Sequence, residues 1–209
     1  MSEKAYPVPS GSLRTEETIK KSRFICDLSV CTGRDEAREF IAQIKKEFPD
    51  ARHHCWAFIA GNPQNADMGM SDDGEPQGTA GKPMLQVLQG SGLGDIVAVV
   101  TRYFGGIKLG TGGLVRAYSG AVQQGLESLS VVMKVPMRRV SVEIGYAQEG
   151  MLRRMLPDFS AEIEEQTFGA EILFGLIMPS DRMEEFCAAV TESSNGTVEF
   201  MAEDEDFWR

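Results

Sequence analysis

The chain has 209 residues, 42% of them hydrophobic and 25% charged, with a formal net charge of −10. That composition builds a real core for one large or two small domains and excludes a disordered or collagen-like chain. No run approaches the roughly 18 apolar residues that span a bilayer, and the opening MSEKAYPVPSGSL lacks the apolar stretch of a secretory signal.

Positions 24–30, FICDLSV, alternate apolar and polar and predict a half-buried strand. The preceding RTEETIK pairs with it as a hairpin through Lys20–Arg23. Ala37, Phe40, Ile41, Ile44 and Phe48 recur at helical spacing, so a helix is predicted from about Asp35 to Phe48, ended by Pro49. HCWAFIA (54–60) is the next strand, followed by a polar loop from Gly61 to about Lys82. A loop that long inside a domain is functional or mobile. Pro83 suits a first helical position, with Met84, Leu85, Val87 and Leu88 behind it. DIVAVVTRYF (95–104) reads as a buried strand. A glycine loop then leads into a helix from about Gly113 to Ser130, with Leu114, Ala117, Ala121, Leu126 and Leu129 facing inward.

From Pro136 the pattern resets. MRRVSVEIGY (137–146) predicts a strand and AQEGMLRRML a helix. FSAEIEEQTF and AEILFGLIMP predict two strands with a turn near Gly169. A helix from about Asp181 to Thr191 and a strand at GTVEFMA (196–202) complete a βαββαβ order, the ferredoxin-like arrangement. The tail EDEDFWR is expected to be a solvated end from which Phe207 and Trp208 can dock. Charge divides at the same place. Residues 1–135 carry 15 Lys/Arg and 15 Asp/Glu, whereas 136–209 carry six basic and 16 acidic residues and hold the whole −10. The expected class is therefore α+β in two domains, 1–135 and 136–209, with any nucleic-acid contact on the first, because an acidic surface repels phosphate. Four cysteines (Cys26, Cys31, Cys55, Cys187) lack framework spacing, so a reduced, cytoplasmic protein without membrane contact is expected.

Thirteen of the 22 glycines fall between Gly69 and Gly120, which argues for unusual backbone angles or close backbone approach. RYFGGIKLGTGGLVRAY (102–118) has strand, glycine loop and helix in the order that builds an anion site. Its candidate phosphate-binding residues are Gly105, Gly106, Gly110, Thr111, Gly112 and Gly113, with Arg102, Lys108 and Arg116 adding charge. It is not a Walker loop, since Thr111 stands where Lys is required, nor a dinucleotide fingerprint, since Val115 stands where the third glycine would fall. The same glycines could serve turning and packing alone.

In SDDGEPQGTAGKPML (71–85), Gly78, Thr79, Gly81 and Lys82 form a second candidate cradle. Asp72, Asp73 and Glu75 there read as solvated turn residues before cation ligands. His53, His54 and Cys55 are adjacent, but neighbours in a strand point to opposite faces, which favours a structural role over a nucleophile pair or metal site. No GxSxG, HExxH or kinase set occurs, so no catalytic residue, metal or cofactor is expected. Lys20, Lys21, Arg23, Arg52, Tyr103, Phe104 and Tyr118 add the basic and aromatic mix that suits phosphates with stacking.

KKSRFI (20–25), ARHHCWAFI (51–59), SDDGEPQGTAGKPML and VVTRYFGGIKLGTGGLVRAYSGA (99–121) closely resemble the IMPACT family in its bacterial YigZ-like branch, over roughly Ile19 to Ser130. The resemblance implies an N-terminal domain like ribosomal protein S5 domain 2. It also implies a ferredoxin-like C-terminal domain like the last domain of elongation factor G. Eukaryotic relatives restrain a starvation-sensing initiation-factor kinase by binding its activator through an extra RWD-type domain. No segment here resembles that domain, so the contact is not expected to transfer. The resemblance brings no catalytic residues. Taken with the strand–glycine loop–helix order and its basic flanks, the expected function is that of a non-enzymatic, translation-linked binding protein, with RNA, the ribosome or translation-related proteins as partners. The alternatives are an enzyme or sensor binding a phosphorylated small molecule at the same loop, and a protein–protein adaptor using the acidic domain.

Overall fold

β1 (Tyr6–Pro9) precedes the predicted hairpin, which forms from β2 (Leu13–Ile19) and β3 (Ser22–Val30) in the computed structural model, where residues 4–202 and 207–208 are described. Lys20 and Lys21 close it at φ 45° and 66°, the paired left-handed conformation whose twist matches a two-residue hairpin. α1 (Arg34–Glu47), β4 (His53–Ala60), β5 (Asp67–Ser71), α2 (Gly81–Ser91), β6 (Ile96–Tyr103), α3 (Thr111–Ser128) and β7 (Val131–Lys134) follow. The five-stranded sheet runs β2-β3-β6-β4-β5, with the four flanking pairs antiparallel, and β1 pairs with β7.

Central β6 explains its own continuous apolar run. Ile96, Ala98 and Val100 pack with Phe24, Cys55, Met84, Leu88, Tyr118 and Val122 under α2 and α3. Val97 and Val99 pack with Ala37, Ile41, Ile44 and Phe58 under α1. A strand covered on both faces has no polar side to alternate with.

Two readings of this unit are corrected. The stretch 61–82 contains β5, paired with β4 from Trp56↔Ser71 to Ala60↔Asp67. DMGMS is short, its apolar residues are only Met68 and Met70, and its pairing with β4 makes it a strand. Pro83 is the third residue of α2, because the helix opens at Gly81; Pro is tolerated throughout the first turn, whose N–H groups have no intrahelical partner. Leu126 and Leu129 face inward as expected, half-buried against the core in which Leu114, Ala117 and Ala121 are buried.

From Lys134 a second compact unit begins. It comprises β8 (Pro136–Ile144), α4 (Glu149–Met155), β9 (Glu162–Phe168), β10 (Ile172–Pro179), α5 (Met183–Ser193), β11 (Glu199–Ala202) and β12 (Phe207–Trp208). The antiparallel order β11-β8-β10-β9 is that of a ferredoxin-like sheet. Val140, Val142, Phe174 and Leu176 face Leu152, Phe186 and Val190 in a separate core. β12 pairs with β8 through Phe207↔Met137 and Trp208↔Pro136, and the Arg139 guanidinium lies 4.6 Å from the Phe207 ring centre. The acidic run at 203–206, expected to be solvated, lies outside the described residues. The molecule is α+β in two units, as its patterning predicts. Among the described residues no helix is long and apolar enough to cross a membrane.

Candidate functional site

The C-terminal end of β6 organises the site. Register pairs Arg102 with Phe24 of β3 on one side and His53 of β4 on the other, so all three side chains leave the sheet on the face covered by α3. There His53 and Arg102 border a cleft of about 330 Å³, while Phe24 is buried in the core beneath α3. Arg52, His53 and Lys108 supply its polar wall, Pro76, Phe104, Leu109 and Leu114 its apolar wall, and Glu75 and Arg102 also line it, as do Gly110 and Thr111 at the start of α3.

Arg102 and Glu75 form a buried ion pair, with Nη1 donating to Oε1 at 2.6 Å and side chains 7% and 4% exposed. The Tyr118 hydroxyl donates to the same Oε1 at 2.7 Å. Aromatic rings flank the guanidinium, Phe24 at 5.5 Å and Phe104 at 5.7 Å. Its Nε, also buried, has no hydrogen-bond acceptor. Phe104 itself is 54% exposed.

α3 begins on a glycine whose conformation no other residue adopts readily. Gly110 lies at φ 71°, ψ 166°, a region essentially reserved for glycine. No side chain caps the helix and its first turn holds no acidic residue. The first intrahelical donor is Leu114, to the Gly110 carbonyl at 2.9 Å. The amides of Thr111, Gly112 and Gly113 come before it and point outward at the positive end of the helix. Lys108 and Thr111 are exposed beside them.

Not every predicted partner belongs here. Arg102 is matched by Glu75, so its charge is already balanced inside the fold. Arg116 is exposed on α3 and does not line the cleft, and Gly106 is exposed outside it. Gly105 serves packing: a Cβ there would lie 1.9 Å from the Lys21 carbonyl oxygen. Sequence reading singled out neither Pro76 nor Leu109 as site residues. Only the strand register and the course of the loops bring them to the cleft, and no local signal carries that.

The second glycine cradle is closed by the chain's own carboxylate. Asp72 Oδ2 accepts from the Gly78 amide at 2.7 Å, and Oδ1 accepts from the Ala80 and Gly81 amides at 2.9 Å each. Burial pushes the Asp72 carboxyl up, but these three donors outweigh it and hold it below the usual carboxylate range. Thr79 is buried, its hydroxyl donating to the Pro76 carbonyl at 2.6 Å, and Lys82 is exposed. This corrects both readings of the acidic cluster, because its members are neither merely solvated nor convergent. Asp73 accepts from Lys45 Nζ and from the His54 amide, each at 2.8 Å, and Glu75 binds Arg102 and Tyr118. Among the described residues no three His, Cys, Asp or Glu side chains are arranged to hold a metal.

The His53–Cys55 segment is similarly engaged. His53 Nδ1 donates to the Asp73 carbonyl at 3.0 Å, and His54 Nε2 to the Phe48 carbonyl at 3.1 Å. Cys55 Sγ donates to the Asp72 carbonyl at 2.9 Å. Burial pushes the Cys55 thiol up to about 12, far from the thiolate that nucleophilic chemistry needs at neutral pH.

Comparison with known proteins agrees with this architecture. The Impact N-terminal domain family matches residues 20–126, and a domain of unknown function (DUF1949) matches 142–197. An IMPACT family member of Haemophilus influenzae is 48% identical over 194 residues, covering 92% of this chain and 94% of its own length. The IMPACT family member YigZ of Escherichia coli is 42% identical over 202 residues, covering 96% and 99%. A crystal structure of a hypothetical protein, 41% identical, superimposes with a TM-score of 0.67 over 97% of this chain and all of that one. With one family match spanning half of its length and relatives this similar over nearly all of it, the chain belongs to the IMPACT family.

Proposed function

We propose that the chain is a translation-linked binding protein whose first unit holds RNA phosphate at the N-terminus of α3. Membership of the IMPACT family supports a translation-related regulatory role at the level of the family. The observation that carries the RNA reading is the uncapped, glycine-opened start of α3, which faces a cleft rimmed by Arg52 and Lys108. Helix N-termini with free amides attract anions, and nearby cations add a salt-sensitive attraction. The contrast with α2 strengthens the point: there an internal carboxylate takes the amides, whereas no side chain caps α3 and its first turn holds no acidic residue. In this reading the role is binding, and Asp72, Asp73 and Glu75 hold the fold together through backbone amides, Lys45, Arg102 and Tyr118.

The test is sedimentation of the tagged chain with cell lysate through a sucrose gradient, at low and high salt, with and without nuclease. Co-migration with ribosomes that salt and nuclease both remove is expected. Lys108→Glu should weaken it and lower the slope of log affinity against log salt by about one. Protein that stays at the top of the gradient under every condition would end the ribosome reading.

A further inference from the structure

We infer that the α3 cleft takes one unstacked nucleotide, its base lying against Phe104 and its phosphate on the amides of Thr111, Gly112 and Gly113. The inference rests on the phosphate reading above and adds the base. Three features point beyond a bare anion. The cleft, at about 330 Å³, is walled on one side by Pro76, Phe104, Leu109 and Leu114, which suits a flat apolar face and wastes contact on a hydrated inorganic phosphate. Phe104 is a large aromatic side chain left 54% exposed and backed by the Arg102 guanidinium at 5.7 Å, an arrangement that presents one ring face as a stacking platform. Arg102 is itself 94% buried, and its Nε lacks an acceptor in the cleft floor. Glu75 Oε1 is already committed to Nη1 and to Tyr118, so the protein leaves one donor of this cleft-lining arginine unsatisfied, as a site completed by a ligand acceptor would.

A base reaches Phe104 only if its face is free. In a duplex both faces are stacked on neighbours, so the site should prefer single strands. Because every base has a π-face, little sequence preference is expected. The same chemistry could come from a free nucleoside monophosphate, and the experiment separates the two sources.

The full chain is titrated against a short fluorescent single-stranded RNA and against a hairpin duplex of equal length, by anisotropy, with nucleoside 5′-monophosphates as competitors. Phe104→Ala, Phe104→Trp and Lys108→Glu are measured alongside, with melting curves to check folding. The expected result is tighter binding of the single strand, a loss of about tenfold in Phe104→Ala, and retention in Phe104→Trp. Competition by monophosphates at oligonucleotide-like concentrations, still lost in Phe104→Ala, upholds the nucleotide site and removes RNA as its source. Duplex bound as tightly as single strand overturns the inference. So does Phe104→Ala binding like the parent while Lys108→Glu is weakened, a result that leaves the phosphate reading standing. Absence of binding to every probe by the folded parent overturns both.

Discussion

Asp72 shows how much one side chain settles in this fold. Three backbone donors converge on its carboxylate at the start of α2, where the helix also favours negative charge. Asp72→Ala leaves those amides without an acceptor and should cost about 1–3 kcal/mol. Asp72→Asn keeps the shape and loses the charge, so its cost should depend on pH. The folded carboxyl titrates below its ordinary value. Its stabilisation is therefore complete above the unfolded pKa, near 4, and is lost as pH falls through the folded value. The melting-temperature gap between the parent and Asp72→Asn should thus narrow on acidification below about pH 4, and a gap unchanged down to pH 2 would remove charge from the explanation. Arg102 is a second such residue. Its replacement by Met strands a buried Glu75 carboxylate beside Tyr118, and breaking a buried pair from one side costs about 3–5 kcal/mol. Calorimetry of Arg102→Met should show that loss, and restoring most of it with Glu75→Gln in the same chain would identify the stranded charge as the cause.

At the scale of elements, the helices and long strands were legible because burial imposes a period. Phe24, Cys26 and Leu28 recur at alternate positions of β3 (although Ile25 and Asp27 between them are buried too and Val30 is exposed), α1 repeats its apolar residues at helical spacing, and β6 opens on the apolar run Ile96 to Val100. The elements that escaped, β1, β5, β7 and β12, are short and exist by pairing with a neighbour, which no local pattern records. The candidate site was half legible for the same reason. Strand, glycine loop and helix announce the start of α3, but spacing cannot separate a glycine that frees the backbone from one that makes room. Gly110 holds an angle only glycine takes easily, whereas Gly105 lies against the carbonyl of Lys21 in the β2–β3 turn. That second reason lives in a distant part of the chain. Gly105→Ala would force backbone against backbone, so it should destabilise the first unit by about 1–3 kcal/mol, the usual cost of overpacking. A denaturant midpoint equal to the parent's would mean that the loop after β6 yields freely.

For the whole molecule, the two separate cores and the lopsided charge lead to one argument. Phe24, Ile96, Leu88 and Tyr118 belong to one core, and Val142, Phe174 and Phe186 to another, so fragments 1–135 and 136–209 should each fold alone with its own cooperative transition. The first is electrically neutral by formal count and the second carries the −10. A nucleic acid approaching the full chain therefore meets a net negative charge that the fragment lacks. The field of that charge reaches about 8 Å at physiological ionic strength and about 3 Å at 1 M salt. Fragment 1–135 should accordingly bind single-stranded RNA more tightly than the full chain in dilute buffer, with the two affinities converging as salt is raised. If the fragment instead binds more weakly at every salt concentration, the acidic unit contributes contacts of its own and its charge is not a deterrent. Anisotropy titrations of both proteins across a salt series separate these outcomes, because repulsion fades with screening while a lost contact does not.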